Sequence, residues 1–345
     1  MTLFLAGALK MAELSAQAAS AALPGEPGVG WLELRNKLEA FGAFRNARGA
    51  AGLPSAISAP LADQAERAGG RDPYAALWIT EGLGHAWAGQ PGAASLAGAA
   101  GLPGRALLPL HTGASLAWAE RLLGELARAP ETAAAAVLRD WRERSAAALR
   151  PGYAGLAVEA AGLVVRSLEP WRMGRLAALL AADDPELAEL FWHGAGRGLY
   201  FAPIHLLPTP GSLRRAFASA WSEPGDEPGR RNATAGLAWA LTLVNVRHPE
   251  VVAAALDELP DARAPGAAFA AGTTAALLLW ASWAGHDPCL ACFLAHAPAP
   301  PERARRWGLL VVEPSRRALS HLDSFLARRE RLAELFRHRG MPWMP

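Results

Sequence analysis

Four ionisable side chains, Glu81, His111, Glu159 and His193, each lie in an otherwise apolar stretch and run directly into a cluster of small residues. The clusters read Glu81-Gly82-Leu83-Gly84, His111-Thr112-Gly113-Ala114, Glu159-Ala160-Ala161-Gly162 and His193-Gly194-Ala195-Gly196. Carboxylates and imidazoles can trade protons near neutral pH or ligate a metal. An unpaired buried carboxylate is costly, so Glu81 and Glu159 each require a cation, a proton or a metal. His85 follows Glu81, and Arg197 follows His193, at i, i+4, which places each pair on one helix face. Three kinds of chemistry are open to this set. It could be a network of ion pairs that sets helix register. It could line a ligand or substrate pocket, with proton transfer by Glu and His and an anion held by Arg197. It could bind metal, which the spacing fits least, because helical di-metal sites use Glu-x-x-His and this chain has Glu-x-x-x-His.

The elements that must position these groups are helices. Alternating β-branched runs are scarce, apart from pieces such as Leu309 to Val312, whereas Ala/Leu segments with polar residues every three or four positions fill the chain. Weaker copies of the small-residue cluster begin at Ala233 and Ala271, and successive starts are about 30 to 48 residues apart, the length of a helical hairpin. Pro and Gly clusters punctuate the chain at matching intervals, as at Pro151-Gly152, Glu223 to Gly229 and Pro260 to Pro265. The expected fold is all-α, an array of helical hairpins forming an α-solenoid or an α/α toroid. Residues 1–68 form an N-terminal helical segment, 69–297 the repeat core and 298–345 an arginine-rich cap. Gly and Ala two to four apart leave a helix face without bulk, so a neighbouring helix can come close.

Composition excludes some classes. The chain has 345 residues, 52% hydrophobic, 19% charged and with a net charge of +2, which does not point to nucleic acid. Its 13 tryptophans are core fillers or the lining of an aromatic cavity, with Trp87, Trp118 and Trp192 the ligand-facing candidates beside His111 and Arg197. Cys289 and Cys292 form a lone Cys-x-x-Cys; with His286, Asp287 and His296 nearby they are candidate metal ligands, against the alternative of two small buried residues. No metal or other cofactor is strongly implied. The apolar start of the chain is interrupted by Lys10 and Glu13, so a signal peptide is not expected and the chain reads as cytoplasmic. The uncharged run from Ala264 to Gly285 reads as a buried helix and not as a membrane span. The arginines from Arg316 to Arg339 read first as the solvated face of one amphipathic helix, Pro314 to Arg339.

No nucleophile elbow, Walker loop or dinucleotide fingerprint is present. The stretches Glu81 to Trp87, Glu159 to Gly162 with Leu168 to Arg172, and His193 to Phe201 resemble those of a bacterial family encoded with enediyne polyketide biosynthesis genes. The resemblance spans residues 74 to 290, with Glu-Ala-Ala-Gly standing where that family has Glu-Gly-Ala-Ala. It implies a link to specialised metabolism and carries over no catalytic residues. The leading expectation is a helical-repeat binding or scaffold protein whose Trp-lined inner surface holds an apolar small molecule or a protein partner. The alternative is an enzyme, a cyclase, hydrolase or isomerase, with Glu81, His85, Glu159 and His193 as its acids and bases.

Overall fold

The computed structural model describes residues 28–48, 72–90, 95–97, 102–206, 209, 211–285, 287–327 and 335–338. Among them the protein is all-α, with no strand. The helices are α1 (Val29–Arg48), α2 (Pro73–Ala88), α3 (Leu107–Arg128), α4 (Ala134–Ala148), α5 (Gly155–Leu168), α6 (Met173–Asp183), α7 (Pro185–Phe201) and α8 (Pro203–Leu206). They continue as α9 (Ser212–Ser222), α10 (Glu227–Val244), α11 (Pro249–Ala255), α12 (Arg263–Ala284), α13 (Pro288–Ala295), α14 (Pro301–Trp307), α15 (Glu313–Leu319) and α16 (Leu322–Ala327). Most of the first 68 residues, the Lys10 region and His286 lie outside the described residues.

Several helix starts follow directly from sequence. Asp72, Asp184 and Asp226 each stand in extended backbone before a helix and accept from an N–H of its first turn, at 3.0, 2.9 and 2.8 Å. Proline then occupies one of the first two helical positions, where no N–H is needed.

Six of these helices form the core in sequence order, each packing on the next: α2 on α3, α3 on α5, α5 on α7, α7 on α10 and α10 on α12. The last reaches back to the first, since Trp283 Nε1 of α12 donates to the Pro73 carbonyl of α2 at 2.7 Å. α1 packs on α2 and touches α10 and α11. α12 is apolar and long enough to cross a membrane, but most of it is buried among its neighbours, as expected of a core helix.

The small-residue clusters are where these backbones meet. An added Cβ on Gly84 of α2 would stand 2.1 Å from the Leu110 carbonyl oxygen of α3, and one on Gly113 would stand 1.8 Å from that of Glu81. The same reciprocal clasp joins α5 to α7 (Gly162 on Phe191, Gly194 on Glu159) and α7 to α10 (Gly196 on Ala233, Gly236 on His193). Gly272 of α12 makes a one-sided contact with Ala235 of α10. At such separations Cα–H groups face carbonyls, contacts worth about 0.5 to 1 kcal/mol each, which offset the roughly 1 kcal/mol that an interior helix glycine costs. In each clasp the accepting carbonyl belongs to the residue three before that helix's own glycine. Glu81, Glu159 and His193 therefore stand at points of closest helix approach, as do the apolar Leu110, Phe191 and Ala233.

Two regions depart from expectation. The strand-like run Leu309 to Val312 lies in a π-helical turn, Gly308–Val312, between α14 and α15. The single helix expected from Pro314 to Arg339 is broken at Ser320 and His321, and residues 335–338 form a separate turn with Leu335 and Phe336 buried. α15 packs directly on α12, so the terminal region is continuous with the core.

Candidate functional site

Of the sequence candidates, four meet in the protein interior: Glu81 from α2, Glu159 from α5, and His193 with Arg197 from α7. Arg197 Nη1 donates to Glu159 Oε2 at 2.8 Å, and His193 Nδ1 lies 3.0 Å from Glu159 Oε1. Glu81 Oε1 stands farther off, 3.9 Å from Arg197 Nη2. Glu159 is wholly enclosed, and His193 and Arg197 are 1% and 2% exposed. Arg197 and His193 can both reach Glu159 because α7 presents them one turn apart to the same neighbour.

Above the polar groups lies an aromatic layer. The Arg197 guanidinium sits 4.4 Å from the Trp239 ring centre and 5.9 Å from that of Phe336. His193 meets Phe336 edge-on at 5.1 Å, and Trp239 and Phe336 are 5.5 Å apart. Phe336 is held in place by its neighbours: the His338 N–H donates to Asn232 Oδ1 at 2.8 Å, and Arg337 pairs with Glu186. Beside this segment a small hollow of about 60 Å³ opens between Glu189, Asn232 and His338.

Two carboxylates share one guanidinium, and they divide by distance. Burial pushes the Glu159 carboxyl up, but the Arg197 charge and the His193 N–H outweigh it and hold it below its usual value. Burial dominates at Glu81, where the more distant Arg197 only partly opposes it and Glu159 adds repulsion, raising it to about 7. Burial lowers His193 despite its carboxylate partner. A carboxylate only accepts, so the proton of neutral His193 sits on Nδ1 and the lone pair on Nε2. That Nε2, Arg197 Nε and Trp239 Nε1 are buried with no hydrogen-bond partner among the described residues.

His85 and His111 do not join this cluster. His85 Nε2 turns to Glu120 of α3 at 3.1 Å, and its ring packs against Phe44 of α1. His111 donates from Nδ1 to the Leu107 carbonyl of its own helix at 2.7 Å, accepts the Arg150 N–H at Nε2 and stacks on Tyr153. Burial lowers it to about 4, so it serves as a neutral bridge between segments. Of the four ionisable residues that head the small-residue clusters, Glu81, Glu159 and His193 converge on Arg197, and His111 does not.

The three candidate tryptophans pack against their neighbours. Trp87 and Trp192 are buried, the latter against the backbone at Gly229, while half-buried Trp118 lies under Arg121 and accepts the Trp141 N–H at its carbonyl. They line neither the hollow beside His338 nor the groove between Gly266 and Leu310. Among the described residues no group of three or more His, Cys, Asp and Glu could hold a metal. Cys292 is exposed and Cys289 half-buried, correcting the expectation of two buried residues, while His296 packs edge-on against Trp307.

Sequence reasoning passed over a second buried network. Lys37 of α1, 1% exposed, pairs with Glu33 at 2.8 Å, donates to the His205 carbonyl and lies over the Tyr200 ring. Asn36 and Tyr200 both bond to Asn245, and the Tyr74 hydroxyl caps the Val244 carbonyl at 2.8 Å. The available signal was Glu33 and Lys37 at i, i+4, which reads equally well as a solvated pair.

Glu81 makes a pH prediction. Its folded value of about 7 lies above the ordinary 4.5, so from pH 4.5 to 7 the folded chain keeps a proton that the unfolded chain has released. Its contribution to stability is therefore full below pH 4.5 and is lost as pH rises through 7, an effect of about 3 kcal/mol. His111 works in the opposite direction: its stability is lost as pH falls from 6.5 to about 4, so the two partly cancel in the native profile. Urea unfolding of Glu81→Gln should match the native protein near pH 4.5 and exceed it by about 2 to 3 kcal/mol at pH 8. An equal difference at both pH values would contradict the assignment.

Comparisons with protein-family models, characterised proteins and solved structures return no match.

Proposed function

We propose that this protein is a ligand-binding helical array, closed in the manner of an α/α toroid, that holds a small apolar molecule in its polar core. The carrying observation is that three buried polar atoms, His193 Nε2, Arg197 Nε and Trp239 Nε1, lack partners while their rings and guanidinium gather around Phe336. Each such atom costs about 1 to 3 kcal/mol, and together they supply an acceptor and two donors beside an apolar wall. A ligand suited to them has an apolar body that takes the place of Phe336. It also carries a hydroxyl-like group that donates to His193 Nε2 and accepts from Trp239 Nε1–H. The return of α12 to α2 supports the closed reading. The resemblance of the Glu81, Glu159 and His193 stretches to an enediyne-associated family supports a role in specialised metabolism.

Native mass spectrometry of the protein from its own host, set against its denatured mass, tests this reading. A bound small molecule that is absent from a Trp239→Phe/His193→Phe variant is expected. A ligand-free mass in both would return the cluster to a purely internal network.

One observation favours catalysis as a second reading. Glu159 orients His193 and leaves Nε2 as a base, while Glu81, raised to about 7, can give or take a proton at neutral pH. Glu81→Gln separates the two, because the binding reading gives Glu81 no ligand contact: a folded variant with ligand retained and phenotype unchanged favours binding alone, and ligand retained with turnover lost favours catalysis.

A further inference from the structure

The terminal helices and the start of α12 enclose a groove of about 440 Å³, within the size range of small-molecule sites. Its floor is apolar and low: Gly266, Ala267 and Ala270 on α12 face Leu309 and Leu310 on the π-helical turn. Its rim is basic, with Arg263, Arg305, Arg306 and Arg317 against one lining carboxylate, Asp261. Arg306 reaches only the Leu259 carbonyl, at 3.4 Å, and the other three arginines have no ion-pair or hydrogen-bond partner among the described residues. On the neighbouring surface Arg303 pairs with Asp257 and Arg214 with Glu258.

The π-helical turn creates the opening. It inserts a residue into the α14 to α15 run and leaves Leu309 52% exposed while Leu310 points toward Gly266. Such inserted turns recur at functional sites. An added Cβ on Gly266 would meet Leu310 only at ordinary contact, 3.5 Å, so packing does not demand glycine there. The small residues instead keep the floor open beneath three uncompensated cations.

We infer that this groove binds a soluble single-chain amphiphile with an anionic head, such as a medium- or long-chain carboxylate. Its head is held by Arg263, Arg305 and Arg317 and its tail lies along Ala267, Ala270, Leu309 and Leu310. Charge complementarity selects the anion, and the length of the apolar floor selects a tail over a compact oxyanion. Different elements build this site and the Glu159 cluster, so neither proposal depends on the other.

Isothermal titration of the full-length protein with dodecanoate, kept below its micelle concentration, tests the assignment. Dodecanoate is expected to bind, octanoate more weakly by about fourfold per missing methylene that the floor contacts, and acetate not detectably. Dodecyltrimethylammonium, with the same tail and the opposite charge, should not bind. The exposed double variant Arg305→Glu/Arg317→Glu should lose about a hundredfold in dodecanoate affinity, and Ala267→Trp, which fills the floor, should lose binding with every arginine retained. Equal binding of the cationic amphiphile, or undiminished binding in both variants, would overturn the proposal. So would binding to anionic phospholipid vesicles without binding of monomeric dodecanoate.

Discussion

Gly194→Ala is expected to destabilise the fold by about 4 kcal/mol or more, although it adds one methyl group to a helix that would otherwise welcome alanine. The new Cβ would stand 1.7 Å from the Glu159 carbonyl oxygen and 2.7 Å from its carbonyl carbon. Both belong to backbone, so no rotamer change relieves the clash; α5 and α7 must separate, and the Glu159 contacts to His193 and Arg197 lengthen with them. Gly124→Ala, one turn before the C-terminal end of α3, is the control. There the nearest atom is the tip of the flexible Arg128 side chain at 3.8 Å, and the helix preference of alanine should stabilise the protein by up to about 1 kcal/mol. Chemical denaturation of the two variants should move in opposite directions. Similar small changes in both would refute the clasp.

Arg197→Met is expected to cost about 3 to 5 kcal/mol at neutral pH, because it strands the wholly buried Glu159 carboxylate without its cation. Adding Glu159→Gln should recover most of the loss, since the stranded charge goes with it. The pH response should also reverse. In the native protein Glu159 is held below its usual value, so its stabilisation is present above pH 4.5 and is lost as pH falls. In Arg197→Met the largest effect opposing burial is gone and His193 alone stands against it, so the carboxyl rises and stability improves as acid protonates it. Unfolding free energies from about pH 3 to pH 7.5 read both slopes. An Arg197→Met protein that still loses stability toward acid at the native slope would show that Arg197 does not set the state of Glu159.

Much of this was legible in sequence because glycine in an apolar helix has few uses. The spacing of Gly84, Gly113, Gly162, Gly194 and Gly236 located the close helix contacts, and with them Glu81, Glu159 and His193. Periodicity does not say which neighbour a side chain on the helix flank will meet. His85 shares a face with Glu81 yet finds Glu120, and His111 satisfies itself on its own helix, because each took the nearest available acceptor. Lys37 looked like a surface residue; its burial depends on Tyr200 and the His205 carbonyl, 163 and 168 positions away in a numbering that carries no trace of the pairing. Phe336 closes over His193 from the far end of the chain, beyond the reach of any local pattern.

The clasps also constrain time. A helix that slid or rolled against its neighbour would drive a carbonyl into a Cα, so α5, α7 and α10 can part only by opening outright. The slowest amide hydrogens to exchange with solvent should therefore lie around Glu159 to Gly162, Phe191 to Gly196 and Ala233 to Gly236, with exchange governed by global unfolding. Among the described residues, the piece that covers the His193 cluster without a clasp is the turn bearing Phe336, and entry falls to it. Among the described contacts that turn is held by the His338 hydrogen bond to Asn232, the Arg337–Glu186 pair and the buried side chains of Leu335 and Phe336, none of which locks it to a backbone, so it can lift with the core left in register. Amides there should exchange through local opening, orders of magnitude sooner than those of the helices they cover.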